Sequence, residues 1–211
     1  MSRQMNRRAF IGGSAAFVPA VVAVQATTSA AAAAQRSPFG SDVDVLNYAL
    51  VAEYFLSQFY REARVKLRGK EARYISAIGA DEDAHIAALT QTVQTLGGSP
   101  APVPAIDYKN ALSTRENLLR FALRFENLFA RAYLGAAAFV QSPDILQAAA
   151  GIFGVEERHA AIVANLLGRP AAGGVYVGAA NTPASRGEVL GALKPFLGGA
   201  GTMEDGAAVT K

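Results

Sequence analysis

At 211 residues the chain has room for one domain with a sizeable core and little beyond it. Hydrophobic residues make up 51% of it and Cys is absent, which suits tightly packed helices, excludes a disulfide framework and leaves only carboxylate oxygen and imidazole nitrogen to hold any metal. The net charge of +3 does not mark a basic surface, because Arg3, Arg7 and Arg8 precede every acid and from Gln35 onward 17 basic residues face 17 acidic ones; nucleic acid is not an expected partner.

Those arginines belong to a charged N-terminal segment, NRRAFIGGSAAFVPAVVAV, followed by the small-residue tract QATTSAAAAAQ. The pair Arg7-Arg8 with Phe10 and Ile11 resembles a twin-arginine export signal, with Gly12 where a Lys is usual. An ordinary secretory signal that carries two arginines is the alternative. Residues 1–34 are expected to be a signal peptide, cleaved between Ala26 and Gln35, with the twin-arginine machinery as partner and a periplasmic or otherwise exported product. The apolar run is too short for a membrane span, so none is expected in the mature protein.

Four helical patterns follow. The first runs from a Ser41/Asp42 cap to about Arg68, where Gly69 can end it, and the second from about Lys70 to Leu96, stopped by Gly97-Gly98. So tight a link makes them an antiparallel hairpin. The stretch GGSPAPVPAIDYKNAL, with three prolines, cannot be helical throughout and suits a crossover along the bundle. The third helix opens at a capping-box pattern, Ser113 to Glu116, and reaches about Gln141. Ser142-Pro143 opens the fourth, which ends near Leu167-Gly168. Residues 41–168 thus read as an all-α bundle of two hairpins joined by one long crossover. Residues 169–211 read as a Gly/Ala/Pro-rich tail that packs on the bundle through a short helix at Ser185–Phe196, with its last dozen residues loose.

Each helix also places one glutamate inside its apolar stripe. Glu53 sits among Leu46, Ala49, Leu50, Leu56 and Tyr60; Glu82 among Ile75, Ile78, Ile86 and Leu89. Glu126 lies among Leu119, Ala122, Leu123, Phe129 and Tyr133, and Glu156 among Ile152, Phe153, Ala160 and Val163. A buried carboxylate must stay protonated, find a cation or bind a metal, and four of them call for a shared partner. The chain's two histidines, His85 and His159, each stand three residues after one of these glutamates, on the same side of the helix. Glu82 with His85, and Glu156 with His159, can therefore aim a carboxylate and an imidazole at one point. The halves repeat: Glu82 follows Glu53 by 29 residues and Glu156 follows Glu126 by 30, while Tyr60 and Tyr133 each follow the first glutamate by seven. A near-symmetric pair of metal ions, one histidine to each, is the expectation; histidines that merely pack in the core or on a solvated face are the alternative.

With Glu53, Glu82-x-x-His85, Glu126 and Glu156-x-x-His159 in place, the chain resembles the ferritin-like superfamily of dinuclear carboxylate proteins over about Ser41 to Leu167. The resemblance implies a ferritin-like four-helix bundle holding two Fe or two Mn ions. It assigns Glu53 and His85 to one ion, Glu126 and His159 to the other, and Glu82 and Glu156 as bridges. Tyr60 and Tyr133 are similar to the tyrosines some members keep just behind the ligands, although core aromatics would serve equally. Glu157 and Asp83 read as surface neighbours. The segments LVAEYFLSQFY and EVLGALKPFL look most like exported desiccation-related ferritin-like proteins.

Such a ligand set suits Fe(II) or Mn(II) with open positions for oxygen species. The expected function is oxidoreductase chemistry on O2 or peroxide, of ferroxidase or catalase-like type, in stress protection; a homo-oligomer is compatible with it. The alternative is a non-enzymatic desiccation- or stress-protective envelope protein with a structural or vestigial metal site. Iron storage ranks below both, since no acidic channel motif or strong fifth helix is present to build a cage.

Overall fold

The computed structural model describes residues 37–172, 175 and 178–198, and the architecture concerns the compact unit that begins at Phe39. The expected signal peptide and the last dozen residues lie outside the described residues. No described helix is long and apolar enough to cross a membrane.

Helix α1 spans Asp42–Ala63, α2 Gly69–Thr95, α3 Arg115–Ala137, α4 Pro143–Leu166 and the short α5 Arg186–Leu193. Among the described residues there is no strand, and Ile106 and Leu197 form an isolated bridge. The starts are fixed by side-chain caps. Ser41 accepts from the Asp44 amide, Ser142 accepts from the Ile145 amide with Pro143 in the first turn, and Ser185 with Glu188 forms a reciprocal capping box. Two ends are fixed by left-handed glycines. Gly97 (φ 76°) and Gly168 (φ 70°) let the chain turn back so that Gly98 donates to Val93 and Arg169 to Ala164, satisfying carbonyls at the ends of α2 and α4.

Four boundaries differ from the sequence reading. Helix α1 ends at Ala63 rather than near Arg68, giving way to a 3-10 turn at Arg64–Lys66. Gly69 (φ 59°) does not stop α1 but is the first residue of α2. The cap of α3 is Thr114, which accepts from the Asn117 amide, and not Ser113. Ser113 instead donates to the Asn110 carbonyl, and Glu116 pairs with Arg120. Helix α3 stops at Ala137 instead of Gln141: the Phe139 and Val140 amides fold back in tight turns onto Ala136 and Ala137, and those of Gln141 and Ser142 then donate to the Asp42 carboxylate at the start of α1.

The hairpins α1–α2 and α3–α4 form as expected, and the crossover lies along α1. Asn47 bonds Ser99 and Ala101, Gln58 reaches the Pro104 carbonyl, and the Tyr108 hydroxyl donates to the Phe55 carbonyl. With α2, α3 and the crossover all around it, α1 buries 14 of its 22 residues. Tight packing of this kind is what the many Phe and Ala residues serve. Phe55, Phe59, Phe121, Phe125 and Tyr108 form an aromatic cluster, and Phe196 from the tail closes it edge-on. The tail also crosses α3 at Gly135, where a side chain would overlap the Ala184 carbonyl.

Candidate metal centre

All four stripe glutamates are buried, Glu82, Glu126 and Glu156 completely, and both histidines with them. They meet at one level of the bundle. His85 Nδ1 lies 3.3 Å from Glu53, 3.4 Å from Glu82 and 3.4 Å from Glu156. His159 Nδ1 lies 3.0 Å from Glu82, 3.5 Å from Glu126 and 3.9 Å from Glu156. The donor atoms fall into two overlapping groups, Glu53–Glu82–His85–Glu156 and Glu82–Glu126–Glu156–His159, each within 4.8 Å. Glu82 and Glu156 belong to both groups, standing between two terminal Glu/His pairs. Helical geometry alone brings this about, since carboxylate and imidazole three residues apart on α2, and again on α4, project toward α1 and α3.

The tyrosines complete a cross-brace. Tyr60 on α1 donates to Glu126 on α3, and Tyr133 on α3 donates to Glu53 on α1. Burial, together with Glu126 and Glu53 respectively, holds both phenols well above their ordinary range, so both stay protonated donors. Asp83 and Glu157 stand away from the cluster, as expected. Asp83 accepts from Ser57 and pairs with Arg61, and Glu157 accepts from Asn181.

One residue was not singled out in the sequence. Asp81 places a carboxylate oxygen 3.1 Å from His159 Nε2, so the ring can donate there and keep Nδ1 free to face the glutamates. Being 58% exposed, Asp81 breaks no apolar stripe, and the one available signal was its place next to Glu82.

The electrostatics explain what the cluster lacks. Burial raises the Glu82 carboxyl to about 8, with the Glu126 charge adding to it, and pushes Glu156 well up, with Glu126, Glu53 and Glu82 adding. For the histidines burial pulls downward but the carboxylates win, raising His85 to about 9 through Glu53 and Glu82, and His159 to about 11 through Glu126 and Glu82. Without a metal, the cluster must hold protons to reduce its own repulsion.

The residues fit a pair of hard or borderline cations. Among the described residues, seven buried side-chain polar atoms have no hydrogen-bond partner, and six of them are here: both oxygens of Glu82, both of Glu156, Glu126 Oε2 and His159 Nδ1. These atoms approach one another closely and point inward without hydrogen-bond alignment. So many partnerless polar atoms in one place would be costly in a purely structural core, and four carboxylates with two imidazoles form the donor set that Fe or Mn prefers.

Comparison with known proteins agrees with this geometry. No curated protein sequence matches the chain. The ferritin-like domain family matches residues 41–169, more than half of the chain and the whole of the four-helix bundle that carries the cluster. The chain belongs to the ferritin-like domain family.

Proposed function

We propose that the bundle holds two Fe or two Mn ions and carries out redox chemistry on O2 or peroxide, as an exported protein in stress protection. The observation that supports this most directly is the set of six buried polar atoms without a hydrogen-bond partner, all in the Glu/His cluster. When bound, two reduced ions supply two electrons, enough with two protons to take O2 to hydrogen peroxide or hydrogen peroxide to two waters.

The chain's own residues have distinct tasks. Glu53 with His85 would hold one ion and Glu126 with His159 the other, with Glu82 and Glu156 shared between them. Tyr60 and Tyr133 hold one oxygen of Glu126 and of Glu53, turning the other oxygen toward the centre. Asp81 fixes the His159 tautomer. The burial of the whole set keeps bulk water off it.

The Arg7-Arg8 segment supports twin-arginine export, a route that carries folded proteins and lets metals load first. The desiccation-related setting rests on the look of LVAEYFLSQFY and EVLGALKPFL.

Metal content of protein purified from its native host, measured by mass spectrometry beside a Glu156→Ala/His159→Ala variant, tests the reading. About two Fe or Mn per chain, lost in the variant, is expected. Zinc alone, or metal unchanged in the variant, would sink it. Metal bound without Fe(II) oxidation or peroxide consumption would leave a metal-braced protective protein instead.

A further inference from the structure

Next to the cluster, one helical turn toward the start of α1, lies a cavity of about 70 Å³. Its walls are apolar, with Leu46 and Ala49 from α1, Leu89 from α2, Ala136 from α3 and Ile145 and Ile152 from α4. Its inner end is Tyr133, whose hydroxyl is already committed to Glu53. Its outer end is the seam between α2 and α4, which meet over only a short stretch. The lips there are Ala88 and Ala148, both exposed, beside half-buried Thr92.

The lining offers almost nothing to a polar guest. The Thr92 hydroxyl donates to the Ala88 carbonyl at 2.8 Å. Of the lining side chains, Tyr48 alone has a polar atom that is buried and unpartnered. A water or peroxide molecule needs two or more partners to settle in such a space, so one hydroxyl does not hold it. The volume is about half of the ~150 Å³ apolar cavity known to stay dry while taking up benzene or xenon, which sets the guest at the size of a small gas molecule. A polar approach exists elsewhere. A second cavity of about 90 Å³, lined by Ser57, Arg61, Ser76 and Asp83, reaches Tyr60 at the other end of the cross-brace.

We propose that the apolar cavity is the antechamber through which dioxygen reaches the Glu53–Tyr133 side of the metal pair, and that it turns hydrogen peroxide away. This rests on the cluster holding redox metals and names which of the two oxidants the apolar side serves. The guest is an apolar diatomic, selected by size and by the lack of hydrogen-bond partners.

Xenon is the probe, because it reports the cavity whether or not metal is present. The full chain is labelled at Ala, Leu and Ile methyls and titrated with xenon, as metal-free and as metal-loaded protein. Shifts confined to Ala49, Leu89, Ala136 and Ile152 are expected in both. Ala149→Leu, in the cavity wall, fills the space with a good helix former and should abolish them. Ala88→Leu, at an exposed lip, is the second variant should the first fold poorly. In single-turnover Fe(II) oxidation either variant should slow the O2-driven rate several-fold and leave the peroxide-driven rate unchanged. Equal slowing of both, slowing of neither, or no xenon shifts in a protein that holds its metals would overturn the route alone. Xenon bound in a protein that takes up no Fe or Mn would sink the metal reading, and the dioxygen route with it.

Discussion

Tyr133 on α3 donates its hydroxyl to Glu53 on α1, and the same bond in reverse order joins Tyr60 on α1 to Glu126 on α3. The two bonds lace the hairpins together at the level of the cluster. Replacing either tyrosine with Phe removes a donor from a buried carboxylate that has no water to turn to. Each single change should cost about 1–3 kcal/mol in the metal-free protein, read as a lowered denaturant midpoint with an unchanged slope. A loss confined to metal binding, with metal-free stability intact, would contradict the bracing role.

Asp81 and Asp83 flank Glu82 in sequence but face different neighbours. Asp81→Asn should weaken metal retention about 10–100-fold in competition with a chelator, because His159 loses the group that orients it. Asp83→Asn loses an exposed pair with Arg61 and should leave retention unchanged. Equal effects of the two would show that general negative charge matters, and not the bond to His159.

The cluster makes stability depend on pH in a direction opposite to that of ordinary carboxylates. His85 and His159 sit above their usual 6.5, at about 9 and about 11, so their contribution is full below pH 6.5 and fades as pH rises through those values. Glu82 holds its proton to about 8 instead of 4.5, so the folded state again binds more protons than the unfolded one. The metal-free melting temperature should therefore fall between about pH 5 and about pH 9, while metal affinity rises over the same range because binding expels those protons. Proton release on titration with Mn(II), followed with an indicator dye, checks the second half. Binding without proton release would count against this ligand set.

Gly135→Ala tests how the tail is held. A Cβ there overlaps the Ala184 carbonyl, next to the amide of Ala184 that donates to Arg131 at 2.8 Å. The bundle has no slack at that point, so a cost of about 1–3 kcal/mol is expected, with faster hydrogen exchange across residues 184–198. Gly151→Ala, on α4 with open space around it, should be neutral or slightly stabilising. Unchanged exchange in Gly135→Ala would mean the tail accommodates the methyl by moving as a body.

The Glu/His cluster was legible in the sequence because a glutamate in an apolar stripe contradicts its surroundings, and four contradictions at matching intervals share a cause. The pairing of Glu53 with His85 and of Glu126 with His159 followed from the resemblance, and the geometry has the same grouping. Boundaries were less legible where two adjacent residues can do the same job. Ser113 and Thr114 are both capable caps, but Ser113 closes the preceding 3-10 turn onto Asn110, which leaves Thr114 to cap α3. The turn that follows α3 is held by Asp42, nearly a hundred residues away, which no local pattern reveals. Ile152 and Phe153 were read as core but are half-buried, and Ile152 lines the apolar cavity between α2 and α4. Asp81 escaped notice because an exposed acid next to a helix face is ordinary.

The two candidate metal groups each draw on both hairpins: Glu53, Glu82 and His85 come from the first, and Glu126, Glu156 and His159 from the second. One hairpin therefore carries half a ligand set, and two copies of a single hairpin about a twofold axis would carry a whole one. The halves are near-copies in their ligands and unlike in what stands behind them. The position matching Asp81 in the second half is Val155, which can accept nothing from His85, and the cavity reaching Tyr133 is apolar where the one reaching Tyr60 is polar. A near-symmetric cluster inside asymmetric surroundings would give two ions, held as proposed, different basicity and different neighbours. Such a pair could be told apart, with one side preferred for the arrival of electrons and the other for the oxidant.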